Sequence, residues 1–129
     1  MDNVRLEYCA DGYNVIIEEI TSCKQLEKRL EEIKAEYSKV NSEGIKCIFT
    51  VNVVMDGIGS LSIALDEKCV LMFYDEIEDF YLSSLGDSLC KGVTKDLYDF
   101  GQLAETEKMY IVSYENGLEA VKDWLLTKN

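Results

Sequence analysis

Two adjacent segments of this chain demand different secondary structures, and that switch restricts the folds open to it. From Cys23 the residues Leu26, Leu30, Ile33, Tyr37 and Val40 follow at steps of 3, 4, 3, 4 and 3. This spacing puts them on one stripe of a helix, with Glu27, Lys28, Glu31, Lys34 and Glu36 mostly elsewhere. Ser22-x-x-Gln25 has the form of a capping box, and Asn41-Ser42-Glu43-Gly44 supplies a stop. A helix is therefore predicted over 22–40. From Ile45 the period falls to two. Ile45, Cys47, Phe49, Val51, Val53 and Met55 share one face of a strand, while Ile48 and Val54 lie on the other, as in a central strand partly covered on both sides.

More strands are expected on either side. Val4 to Glu19 reads as strand-like, with Tyr13, Val15 and Ile17 alternating and Asp11-Gly12 as a turn signal. After Met55, Asp56-Gly57-Ile58-Gly59 is a hairpin loop. Leu61, Ile63 and Leu65 then alternate with small residues, Asp66-Glu67-Lys68 turns, and Cys69 to Tyr74 is an apolar strand. These runs predict an antiparallel meander. Phe80–Ser83, Asp96–Phe100 and Met109–Val112 are shorter strand candidates. Ser113 caps a last helix, 113–126, with Tyr114, Leu118, Val121 and Leu125 on its apolar face. The order predicts an α+β fold: one domain, 1–129, with a mainly antiparallel sheet of about five to seven strands and two main helices packed on one face.

Charge narrows the possible functions. The chain of 129 residues has 13 Lys+Arg against 25 Asp+Glu, a net charge of −12. Residues 1–65 carry net −4, residues 66–107 net −8 and residues 108–129 zero. Such a balance argues against nucleic acid and against anionic membrane surfaces as partners, and points to a basic partner. Histidine is absent, which removes imidazole acid–base chemistry and His metal sites. The five cysteines form no C-x-x-C pair, and the loops lack the EF-hand pattern. The glycines match no nucleotide-binding motif. No metal, cofactor or small-molecule substrate is expected. The N-terminal Met-Asp-Asn-Val-Arg lacks a secretory leader pattern, and an odd cysteine count fits a reducing compartment, so a cytoplasmic location is expected.

The acidic excess is densest at Asp75-Glu76-Ile77-Glu78-Asp79, followed by Phe80-Tyr81. Like charges this close repel one another. One reading is a surface that steers a cationic partner, with Asp75, Glu76, Glu78, Asp79, Asp87, Asp96 and Asp99 as its carboxylates and Tyr74, Tyr81 and Tyr98 as aromatic anchors. A plain alternative is a solvated loop that keeps the protein soluble. A carboxylate-pair hydrolase would need a deep cleft, and no spacing here singles out a pair. Trp124 on the last helix reads as packing at the core boundary.

From the meander onward the chain resembles the first-numbered immunity family of bacterial polymorphic-toxin and contact-dependent inhibition systems. The resemblance rests on several segments in order: Gly-Ser-Leu-Ser-Ile-Ala-Leu (59–65), Phe-Tyr-Asp (73–75), Phe-Tyr-Leu-Ser-Ser-Leu-Gly (80–86), Lys-Asp-Leu-Tyr-Asp-Phe-Gly (95–101), Tyr-Ile-Val-Ser (110–113), and a helix with Ala120-Val121 and Trp124-Leu125. It spans about residues 45–129. Family members often carry a proline before the Val-Ser segment, and many a proline-containing strand after the last helix; this chain has no proline. The resemblance implies a non-enzymatic inhibitor that binds one cognate toxin domain, a basic nuclease or nucleic-acid deaminase, and occludes its active site or substrate surface. It carries over no catalytic residues. The alternative is an acidic interaction or regulatory module with another basic partner, or a homo-oligomer joined through sheet edges.

Overall fold

The computed structural model describes residues 3–9, 13–37, 48–65, 68–99 and 102–128. In chain order the elements are β1 (Val4–Tyr8), β2 (Ile16–Ile20), α1 (Cys23–Tyr37), β3 (Ile48–Met55), β4 (Gly59–Leu65), β5 (Lys68–Cys69), β6 (Leu71–Asp75), β7 (Phe80–Ser83), β8 (Val93–Asp99), β9 (Gln102–Glu107), β10 (Val112–Ser113) and α2 (Tyr114–Lys128). The main sheet has eight strands. Six lie side by side in the order β2-β1-β3-β4-β6-β7, all antiparallel. The β8–β9 hairpin joins the start of β3 through a parallel pairing, Ile48 with Leu97 and Phe49 with Tyr98. β5 and β10 form a separate two-stranded ladder.

This is the α+β arrangement the hydrophobic periods predict, with β3, β4 and β6 as the expected meander. Period-two alternation gives one face of the sheet Val4, Leu6, Tyr8, Phe49, Val51, Val53, Met55, Leu61, Ile63 and Leu71, all buried. Leu26, Leu30 and Ile33 of α1 and Leu118, Val121 and Leu125 of α2 close over that face in a single cluster. Each fully buried Leu or Ile contributes about 1.5–3 kcal/mol. The far face is mixed: Thr50 and its cross-strand neighbour Ala64 are buried, but Asn52, Ser60 and Ser62 are only half-covered.

The caps follow the sequence with one change. Ser22 Oγ accepts the Gln25 backbone N–H at 3.1 Å. Gln25 Oε1 reaches back past Ser22 to the Thr21 backbone N–H and hydroxyl, at 2.7 and 2.8 Å. Ser113 Oγ caps α2 by accepting from Asn116 N–H at 3.2 Å. Gly117 lets α2 close on β5, since a Cβ there would stand 2.5 Å from Cys69 Sγ.

Several boundaries differ from expectation. The two short runs expected on either side of Asp11-Gly12 are β1 and β2, but Tyr13 and Val15 precede the second strand instead of lying in it. The expected Cys69–Tyr74 strand breaks at Val70, because Cys69 pairs with Val112 while Leu71 onward pairs with β4. Met109–Val112 is mostly a 3-10 turn, Lys108–Tyr110, followed by two strand residues. The second strand of the β8–β9 hairpin, Gln102–Glu107, was not foreseen; its Gln-Leu-Ala-Glu-Thr-Glu run shows little apolar alternation. The end of the predicted 22–40 helix, the start of the 45–55 strand, Asp11-Gly12, Asn41–Gly44, Cys47 and Asp66-Glu67 fall outside the described residues.

Candidate partner-binding edge

The acidic run is the turn of the β6–β7 hairpin. Asp75 pairs with Phe80, leaving residues 76–79 as the loop. Asp75 Oδ1 accepts the backbone N–H groups of Ile77 and Glu78, each at 2.9 Å, an Asx-type closure that presets the turn. Asp79 adopts a left-handed backbone, φ 54°, which Asp tolerates better than most residues. Its Oδ1 accepts the Tyr74 hydroxyl at 3.0 Å. That hydrogen bond to a carboxylate is the main cause holding the Tyr74 phenol above its ordinary value. Asp75 and Asp79 therefore build the turn. Glu76 and Glu78 project from it, exposed, without an ion pair among the described residues.

The turn is anchored to the sheet. Glu76 N–H donates to Ile58 O at 2.9 Å, tying it to the β3–β4 turn. Gly59 permits the approach, because a Cβ there would lie 2.0 Å from the Tyr74 carbonyl oxygen.

β7 forms the edge of the sheet, and all four of its residues, Phe-Tyr-Leu-Ser, are exposed. Tyr81 stacks on its cross-strand neighbour Tyr74 with ring centroids 4.8 Å apart and planes 32° apart. Phe80 and Leu82 face the helix side. There they border a cleft of about 260 Å³ that Ile58, Phe73, Tyr74, Asp75 and Trp124 complete. Trp124 of α2 meets Phe73 edge-on at 5.9 Å and 72°. Among the described residues, Asp75 is the only carboxylate lining this cleft.

The predicted site residues fall in three places. Tyr74, Asp75, Glu76, Glu78, Asp79 and Tyr81 come together on this hairpin. Asp87 lies beyond β7, where its Oδ1 caps a loop by accepting Leu89 N–H at 3.0 Å. Asp96, Tyr98 and Asp99 are on β8, and their side chains lie outside the described residues. The β8 backbone meets β3 at Phe49, whereas the acidic hairpin aligns with Met55 through Gly59. Six residues of extended strand between them correspond to about 20 Å. The β8 backbone that carries Asp96 and Asp99 therefore lies apart from the acidic hairpin.

The cleft residues Leu82, Phe73, Ile58 and Trp124 were not foreseen as site residues. Apolar character in a strand reads as core, and only the neighbour order of the sheet reveals that β7 has no further strand beside it among the described residues.

Other chemistry is sparse. Cys23, Cys69 and Cys90 are free thiols, and burial pushes the Cys69 thiol up to about 12. No group of His, Cys, Asp and Glu among the described residues could hold a metal ion, and no helix there is long and apolar enough to cross a membrane. No family model matches the chain, and no curated protein or solved structure matches it.

Proposed function

We propose that the protein works by binding rather than by catalysis, as a stoichiometric inhibitor of the immunity type that neutralises a basic toxin domain. The observation that carries this reading is the β6–β7 hairpin. Two carboxylates, Glu76 and Glu78, stand unneutralised beside exposed apolar surface, the arrangement of an interface that combines steering charge with anchoring aromatics. Both arginines of the chain, Arg5 and Arg29, are engaged elsewhere. A nuclease or nucleic-acid deaminase presents cations to phosphate, and an acidic hairpin can take the place of that phosphate. The cleft supports the same reading: Asp75, the one carboxylate lining it among the described residues, already has an oxygen engaged by two backbone N–H groups and faces no second carboxylate there.

Co-expression with the toxin domain encoded next to this chain tests the reading. Growth rescue and a one-to-one complex on co-purification are expected. Toxicity that persists, with no complex formed, overturns it.

A further inference from the structure

We infer that the free side of β7 is a docking edge for one extended cationic strand of a partner protein, which adds to the sheet as its next member. The inference rests on the proposed binding function and specifies how the partner is held. The pairing pattern fixes which groups are available. Ser84 N–H donates to Leu71 O at 2.9 Å, so positions 84, 82 and 80 are the hydrogen-bonded pairs of the β6–β7 ladder. Tyr81 and Ser83 therefore turn both their N–H and C=O groups away from β6. No strand among the described residues takes them.

Exposed edges invite pairing, and proteins normally blunt them with charge, proline or a covering element. β2, the opposite edge, carries Glu18 and Glu19. β7 has no charge and no proline, and Tyr81 and Leu82 are 67% and 57% exposed. The side chains around it complete a strand-binding site. An incoming strand would place alternate residues against Tyr81 and over the cleft at Leu82 and Trp124. Glu76 and Glu78 lie just before β7 and Asp87 just after it, so a strand carrying Lys or Arg matches both ends. A second copy of this chain does not fit, because each copy brings a net charge of −12.

Trp124, the only tryptophan, is a built-in reporter. The probe is a short synthetic peptide alternating lysine with valine, titrated into the intact protein. A saturable change in Trp124 fluorescence that weakens with salt is expected. Methylating the peptide amides that would face β7 should weaken binding about tenfold or more, since the ladder bonds are lost and the charge is kept. S83P should do the same, because Ser83 N–H faces outward and proline there spares the β6 ladder. If S83P does not fold, the methylated peptide still decides. Three results overturn the proposal: no binding of the parent peptide, equal binding after methylation, or equal binding of a lysine–glycine peptide with little strand preference. The inhibitor reading fails separately, through lost rescue with peptide binding intact.

Discussion

The β3–β4 and β6–β7 turns lie side by side, linked by the hydrogen bond from Glu76 N–H to Ile58 O, yet their acids are treated differently. On the β3–β4 turn, Asp56 is paired with Arg5 Nη1, and Arg5 Nε holds Glu7 at 2.9 Å. On the helix face of the sheet, Arg29 of α1 bridges Glu18 at 3.0 Å and Glu32 at 2.8 Å and donates to the Tyr8 hydroxyl at 3.2 Å. Lys122 joins the two helices by meeting Glu27 at 2.8 Å. On the β6–β7 turn, Glu76 and Glu78 have no such partner among the described residues. Carboxylates on the first side orient strands and helices. Glu76 and Glu78 on the second do nothing visible for the fold, and their mutual repulsion works against it. Acidic character in a sequence is thus two properties, one structural and one available for a partner.

The largest expected effect lies on the unpaired side. Glu76→Lys with Glu78→Lys should slow association with the basic partner about ten- to a hundredfold at low salt and flatten its salt dependence. Thermal stability should stay within about 0.5 kcal/mol of the parent. Stopped-flow rates across a salt series, with a melting curve beside them, check both halves. A large loss of stability would show that these glutamates also serve the fold. Reversing Asp75 and Asp79 as well would confuse the two properties, since both build the turn.

The paired side should show the reverse. Arg29→Met removes the cation from Glu18, Glu32 and the Tyr8 hydroxyl together and should cost about 1–2 kcal/mol of stability by urea denaturation, leaving partner association unchanged. Tyr8 also gives this side a pH signature. Burial, and then its contact with Glu18, raises its phenol from 10.0 to about 12. A group whose folded value is raised contributes stability that is fully present below the unfolded value and lost as pH rises through the folded one. Urea midpoints should therefore decline between pH 10 and 12, and Tyr8→Phe should reduce that slope.

How much of this was legible in the sequence differs between the same two regions. α1, β3 and β4 were readable because burial enforces their periods: Leu26, Leu30 and Ile33 recur at helical steps and Val51 and Val53 at strand steps. β7 was readable as a strand but not as an edge. Phe80-Tyr81-Leu82 would look the same inside a sheet, and only the pairing order β4-β6-β7 exposes it. The acidic run was legible as charge, but the division of labour within it was not. Asp75 and Asp79 are distinguished from Glu76 and Glu78 by turn geometry, for which Asp in place of Glu was the available signal: the shorter side chain reaches its own backbone. The grouping of Asp96, Tyr98 and Asp99 with the hairpin was a matter of nearness in sequence, and the parallel pairing of β8 to the start of β3 carries them to another part of the sheet.

The smallest expected effect separates the two tyrosines. Tyr74 is raised chiefly by its hydrogen bond to a charged acceptor, Asp79, whereas Tyr8 is raised chiefly by burial. Asp79→Asn keeps a residue that accepts the left-handed backbone and retains an oxygen to receive the Tyr74 hydroxyl, but removes the charge. The Tyr74 phenol should then titrate closer to its ordinary 10.0, while Tyr8 should not move. Carbon-13 NMR of the tyrosine Cζ atoms resolves the two. The stability linked to Tyr74 is present below pH 10 and lost above it, so the variant should be slightly less stable than the parent at neutral pH, and the difference should close in alkali. A Tyr74 that fails to respond would mean that its hydroxyl is held by the strand pairing alone. In that case Asp79 would join Glu76 and Glu78 among the carboxylates free for a partner.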